Sequence, residues 1–185
     1  MTYRPDTHWL SAPPRATDPL YPWLTARGSL TARLMAHCHS FRVEPLRQQL
    51  AHVNRDEAPL LQLPPQRLAL VREVQLQCDG QPAVFAHSII GADELRRTWR
   101  WVARLGNRPL GAVLFADPRI QRQPLHYKAL DARHPLYRRA AEHLAQAPSR
   151  LWARRSLFTL NHAPLLVTEV FLPHVTELTV CNSHR

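Results

Sequence analysis

Hydrophobic positions along this chain change their period several times, and each change marks a new element. From Leu20 to Cys38 they recur at helical spacing (Leu20, Trp23, Leu24, Leu30, Leu34, Met35), with a break at Gly28-Ser29. Ser29 is placed to cap a second helix that starts at Leu30. "FRVEPLRQQL" reads as the start of an extended segment. Arg67–Cys78 and Pro82–Ile90 read as two strands joined at Asp79-Gly80, a pair that suits the positive φ angles of a tight hairpin turn. "ADELRRTWRWVARLG" reads as one helix, with Asp93 as N-cap and Gly106 just past its end. Arg119–Leu130 alternates weakly and is expected to add a strand. Pro135–Gln146 reads as an amphipathic helix with a basic outer face. Arg150–Leu160, the turn "NHAP" and Leu165–Pro173 form a second hairpin. Strands joined by tight turns and interleaved with helices define an α+β class with an antiparallel sheet.

The last strand, "PLLVTEVFLP", is apolar and β-branched without alternation, as expected of a strand covered on both faces. Glu169 sits near its centre. An ionised carboxylate in such a place needs a partner, a raised pKa or a cavity to point into.

Side chains alternate between faces along a strand. In "RLALVREVQLQCDG" one face carries Leu68, Leu70, Arg72, Val74, Leu76 and Cys78. The other carries Ala69, Val71, Glu73, Gln75, Gln77 and Asp79, turns polar, and is expected to be solvated. Arg72 thus lies in the middle of a core face, and guanidinium does not deprotonate to escape burial. It needs an anion. Two readings remain open: a structural ion pair with Glu169, or an anion-binding arginine in a closed pocket with Glu169 at the far end. His87, in "FAHSII", shares a face with Ala83, Phe85 and Ile89. It reads either as a satisfied core histidine or as a pocket residue pointing the same way as Arg72. Arg155 lies between Ala153 and Leu157 on one face of its strand, with Arg154 on the other, and at least one of the two is expected to be solvated.

Composition narrows the partners. The 185 residues carry a formal net charge of +10, and nearly all of the positive charge is arginine, Lys128 being the lone lysine. A basic chain suits either nucleic acid or small anions. The arginines come at most two in a row, and no zinc-finger spacing, helix-turn-helix or RNA-binding motif is present, so no nucleic acid is expected. Cys38, Cys78 and Cys181 are widely spaced and odd in number, which favours reduced thiols over a disulfide framework. The N-terminal residues lack the apolar run of a secretory signal, and no run is long enough for a membrane span. A cytoplasmic protein with no integral membrane segment is expected. His37-Cys38-His39 has metal-binding chemistry but no further ligands at a fitting spacing, so no metal is expected.

"WLTARGSLTARL", "LVREVQLQCDGQP", "RPLGAVLF", "LWARRSLFTL" and "PLLVTEVFLP" together resemble, in order and spacing, the chorismate pyruvate-lyase (chorismate lyase) family. The resemblance spans about Pro19 to Pro173, which implies a lyase domain at 19–173 between an irregular tail at 1–18 and a C-terminal tail at 174–185. It implies an antiparallel sheet of about six strands with helical flaps over an internal ligand pocket. It implies conversion of chorismate to 4-hydroxybenzoate and pyruvate, the first step of ubiquinone synthesis, with no cofactor and no metal. By the same resemblance Arg72 binds the ring carboxylate, Glu169 meets the 4-hydroxyl, and main-chain groups at Leu30 and Leu110 contact the ligand. Arg155 or His87 would hold the pyruvyl carboxylate, and His87 stands where some members have arginine. The expected partners are the substrate chorismate and the product 4-hydroxybenzoate, bound by a monomer. Two rivals stand beside this reading: an effector-binding domain of the same fold, for which 18 loose residues leave no room for an N-terminal DNA-binding unit, and a lyase releasing another hydroxybenzoate.

Overall fold

A computed structural model describes residues 8–15, 18–64, 66–142 and 144–179. Its helices are α1 (Tyr21–Thr25), α2 (Leu30–Met35), α3 (Ala92–Arg97), α4 (Leu110–Ala116) and α5 (Pro135–Ala141). Its strands are β1 (Phe41–Ala51), β2 (Ala69–Cys78), β3 (Gln81–Gly91), β4 (Gln121–Arg122), β5 (His126–Leu130), β6 (Leu151–Leu160) and β7 (Ala163–Phe171). They form one seven-stranded antiparallel sheet in the order β1-β2-β3-β7-β6-β4, with β5 also paired to β6. The class is α+β, as expected. The span Arg119–Leu130 splits into two short strands around Pro124, which has no N–H to give to a ladder. "FRVEPLRQQL" with the following Ala51 is an eleven-residue edge strand. Its register shifts between Pro45 and Arg47, in keeping with the restriction of strand prolines to edges and bulges.

Both hairpin turns have two residues with positive φ: Asp79 at 51° and Gly80 at 78°, Asn161 at 50° and His162 at 66°. That geometry matches the twist of the flanking strands. The Ser29 cap forms, with Ala32 N–H donating to Ser29 Oγ at 3.3 Å. "ADELRRTWRWVARLG" is not one helix. It breaks after Arg97 into α3 and a 3-10 segment, Arg100–Arg104. Trp99 at the break is fully buried and its Nε1–H donates to Ala163 O; seating the indole there turns the backbone out of helical geometry. Asp93 is not the cap, a role held by Gly91; it pairs instead with Arg67 and Arg96. The helix begun at Pro135 stops at Ala141, short of Gln146.

Both sheet faces are covered. Over one, α1 and α2 bury Trp23, Leu24, Leu30 and Leu34 against Val43, Val74, Leu76 and Phe171. Beside them Trp99, Val102, Leu110 and Leu114 pack on Leu70, Ile90, Phe158 and Leu165. On the opposite face Trp9 and α5 cover Phe85, Ala153 and Val170, and Leu61 of the β1–β2 connection covers Ala69, Ile89 and Leu166. Trp9 and Leu10, within the proline-rich start of the chain, contribute to this packing, and Leu10 bridges to Tyr127. Each face therefore has two apolar clusters with a polar centre between them.

The polar face of β2 is not solvated: Glu73 and Gln75 are buried. Glu73 is ion-paired with His87 and with Arg139 of α5, and His87 Nε2 lies 3.3 Å from Glu57 Oε1. Burial alone would push the His87 pKa down, but the two carboxylates outweigh it and hold it at about 9. The reading of His87 as a pocket residue on the Arg72 face is overturned here. A register shift between Leu76 and Gln77 leaves Ala83 as an extra residue next to Pro82. One extra residue reverses the facing of everything beyond it. His87 consequently pairs in register with Glu73, and Ser88 with Arg72.

Candidate active site

Between the two apolar clusters of the first face lies a cavity, partly open to solvent. Its floor is the sheet: Val43 of β1, Arg72 and Val74 of β2, Ala86 and Ser88 of β3, Val167 and Glu169 of β7, Arg154 and Ser156 of β6, and Arg122 of β4. Its roof is the start of α2, with Leu30 and Thr31, and the start of α4, with Leu110 and Gly111. Gly111 lets these two helix starts approach, since a Cβ there would lie 3.3 Å from Thr31 Oγ1. Phe115, 42% exposed, also lines the space.

Arg72 is buried and its Nη2 donates to Gly106 O at 2.9 Å and Arg108 O at 3.2 Å. Gly106, at φ 56°, supplies the left-handed turn that aims one of these carbonyls inward. Nε and Nη1 of Arg72 make no hydrogen bond among the described residues. Burial lowers the arginine's pKa, yet guanidinium remains charged. No carboxylate among the described residues pairs with Arg72, so the structural ion pair with Glu169 is not what the fold builds. Glu169 pairs instead with Arg154, whose Nε donates to Glu169 Oε2 at 2.5 Å. Arg154 Nη1 turns the other way and donates to the carbonyls of Trp23, Leu24 and Ala26, at 2.8, 3.2 and 2.8 Å. One buried guanidinium thus satisfies the open C-terminal carbonyls of α1 and orients the cavity's carboxylate.

Of the six residues singled out in the sequence, Arg72, Glu169, Leu30 and Leu110 come together in this cavity. His87 and Arg155 do not. Arg155 lies on the other sheet face, stacked 4.2 Å from the Trp9 ring and bonded to Asp56 Oδ2 at 2.9 Å. Neither Arg154 nor Arg155 is solvated, at 1% and 8% exposure; the expectation that one would be overlooked Asp56 and the α1 carbonyls, both distant in sequence. Arg154 was legible in principle: a two-residue turn at Asn161-His162 places it opposite Glu169. Arg122 gave no signal, because it sits in a two-residue strand.

His37 Nδ1 contacts Arg33 O, and the Cys38 thiol donates to Leu34 O. Among the described residues no three His, Cys, Asp or Glu side chains are grouped to hold a metal ion. Cys38 and Cys78 are buried and form no disulfide, and Cys181 lies outside the described residues. No helix among them is long and apolar enough to cross a membrane.

A single antiparallel sheet with short helices roofing a charged cavity defines the class as an α+β domain. Solved structures share this fold. They include the ligand-binding domain of a putative GntR-family transcriptional regulator from Bordetella bronchiseptica (TM-score 0.54, 16% identity, 79% of this chain and 91% of that one). The effector domain of PhnF from Mycobacterium smegmatis is similar (TM-score 0.53, 17% identity, 80% and 90%). Identities this low establish the fold alone. Sequence relatives are far nearer. A probable chorismate pyruvate-lyase of Nitrosomonas europaea is 51% identical over 96% of this chain and 100% of its own length. One of Aromatoleum aromaticum is 51% identical over 96% and 99%. The family profile described as chorismate lyase matches residues 3–180. The chain belongs to the chorismate lyase family.

Proposed function

We propose that this protein is a chorismate pyruvate-lyase, converting chorismate to 4-hydroxybenzoate and pyruvate as the first step of ubiquinone synthesis. The observation that carries the reading is the placement of Arg72 and Glu169 in one cavity on one sheet face. They stand on β2 and β7 with β3 between, offset by two residues along the strands, about 12 Å apart at the backbone from strand spacing and rise. That is the scale of a six-membered ring with a carboxylate at one end and a hydroxyl at the other.

In the reaction the C3–O bond breaks, its electron pair leaves with the enolpyruvyl oxygen, and the C4 proton ends on the methylene carbon. The ring becomes aromatic and the leaving group becomes pyruvate, so the atoms balance with no water, oxidant or reductant. Aromatisation supplies the driving force; the residues' task is to orient and desolvate. Charge-assisted bonds from the open Arg72 donors fix the ring carboxylate. Glu169, oriented by its hydrogen bond from Arg154, accepts from the 4-hydroxyl, and main-chain groups at Leu30 and Leu110 close over the ring.

Incubation with chorismate followed by chromatography tests the proposal. Equal amounts of 4-hydroxybenzoate and pyruvate are expected. Binding without turnover would favour an effector-binding role, and 3-hydroxybenzoate would mark a different lyase. Glu169→Gln is expected to weaken 4-hydroxybenzoate binding about tenfold, the scale of one charge-assisted bond; calorimetry showing unchanged affinity would remove Glu169 from this role.

A further inference from the structure

We infer that Arg122 receives the second carboxylate of the substrate, the one on the departing three-carbon unit; this rests on the chorismate reading above. Arg122 lines the cavity from β4. Its Nε donates to Ser156 Oγ at 3.2 Å and its Nη1 to Arg27 O at 2.6 Å. Nη2 makes no hydrogen bond among the described residues, and no carboxylate there forms an ion pair with Arg122. Its guanidinium carbon lies 5.4 and 5.7 Å from the rings of Phe115 and Phe158. The charge lies against these two touching rings, partly out of water, with no carboxylate among the described residues bonded to it and Glu169 acting on it from a distance. Such a placement is costly unless an anion arrives.

The charge of the cavity agrees. Its described lining carries three guanidiniums, Arg72, Arg122 and Arg154, against the single carboxylate Glu169. Two positive charges are left over, which match a dianion and exceed what a hydroxybenzoate needs. Arg154 is already taken up by Glu169 and the carbonyls of α1. Arg72 and Arg122 are the two with donors to spare.

The order across the sheet supplies the geometry. Arg72 is on β2, Glu169 on β7 and Arg122 on β4, in the strand order β2-β3-β7-β6-β4. Glu169 therefore lies between the two arginines. In chorismate the hydroxyl-bearing carbon is para to the ring carboxylate and adjacent to the carbon that bears the ether. A ligand held at Arg72 and Glu169 projects its ether arm beside Glu169 and away from Arg72. Arg122 is there, close enough that the Glu169 charge bears on it. As the C3–O bond breaks, negative charge grows on the enolpyruvyl oxygen next to that carboxylate, and the same guanidinium faces both.

The test separates substrate from product. Arg122→Gln is expected to raise KM for chorismate about 10- to 100-fold, the value of a charge-assisted contact, and to change the Kd of 4-hydroxybenzoate less than about threefold. Arg122→Lys, which keeps the charge, should recover part of the KM effect. Calorimetry adds a probe independent of turnover: 3-(carboxymethoxy)benzoate, a dianion with its second arm at the same ring position. The wild type should bind it more tightly than benzoate, and Arg122→Gln should abolish the preference. An unchanged KM with the dianion preference intact overturns the inference. So does equal loss of both 4-hydroxybenzoate and chorismate binding, which would make Arg122 a structural residue. A wild type that prefers the dianion through Arg122 yet leaves chorismate unconverted would uphold the anion site and overturn the lyase reading instead.

Discussion

Arg154 and Glu169 face each other across the β6–β7 ladder, joined by a 2.5 Å hydrogen bond at the floor of the cavity. The arginine is nearly inaccessible and the glutamate 18% exposed, so the pair has a protein side and a cavity side. Arg154→Met should therefore act mainly on stability. It leaves three carbonyls of α1 and one carboxylate unpaired, a loss of about 3–5 kcal/mol for a broken buried pair. Urea unfolding should show it, and a change below 1 kcal/mol would mean that water replaces the guanidinium.

Arg72→Ala should do the opposite. The carbonyls of Gly106 and Arg108 lose a donor, but the fold keeps its apolar clusters on both sides. Turnover of chorismate should fall about 10²- to 10⁴-fold, the value of two charge-assisted bonds, with a folded circular dichroism spectrum. Near-normal turnover would remove Arg72 from the site.

His87 sets a pH dependence of stability. Its pKa is raised from 6.5 to about 9 in the folded protein, so the folded state binds more protons than the unfolded state between these values. The stabilisation is complete below about pH 6.5 and is lost as pH rises through 9. Glu57 and Glu73 titrate in the other sense. Burial pushes them up, but His87 and their other partners hold them below the ordinary value, so their contribution fades as pH falls through the acid range. His134, Asp56, Arg139 and Arg155 surround the same cluster. Unfolding free energies measured from pH 6 to 10 should decline in the wild type and flatten in His87→Gln. A flat wild-type profile would show that the buried imidazole is neutral.

Gly111 sets the height of the roof. A Cβ at this position already meets Thr31 Oγ1 at 3.3 Å and Ser29 Oγ at 3.5 Å, and valine adds two methyl groups. Gly111→Val should part α2 from α4, at about 1–3 kcal/mol of overpacking strain, and should weaken 4-hydroxybenzoate binding in calorimetry. Wild-type affinity in this variant would show that the two helix starts do not bound the ligand.

The local signals in the sequence were sufficient for much of this molecule. Turn chemistry placed both hairpins, and alternation marked Arg72 as a charge on a core face. The uninterrupted apolar run around Glu169 marked a strand covered twice. Ser29 and Gly106 terminate helical segments for reasons confined to a few neighbouring residues. Tertiary structure decided the rest, because the deciding partners lie far away along the chain. A single extra residue beside Pro82 carries His87 to the opposite face, and alternation counted from the turn cannot detect it. Trp99 breaks a helix because its ring is wanted in a core formed by β6 and β7. Glu73 is charged yet buried, because α5 brings Arg139 to it and the β1–β2 connection brings Glu57 to its partner His87. Whether Glu169 would face Arg72, Arg154 or a cavity depended on strand order, which places β3 between the first pair and sets the second side by side. Periodicity specifies which side chains share a face of one strand. Only the closed sheet, with its bulge and its neighbours, specifies which faces meet.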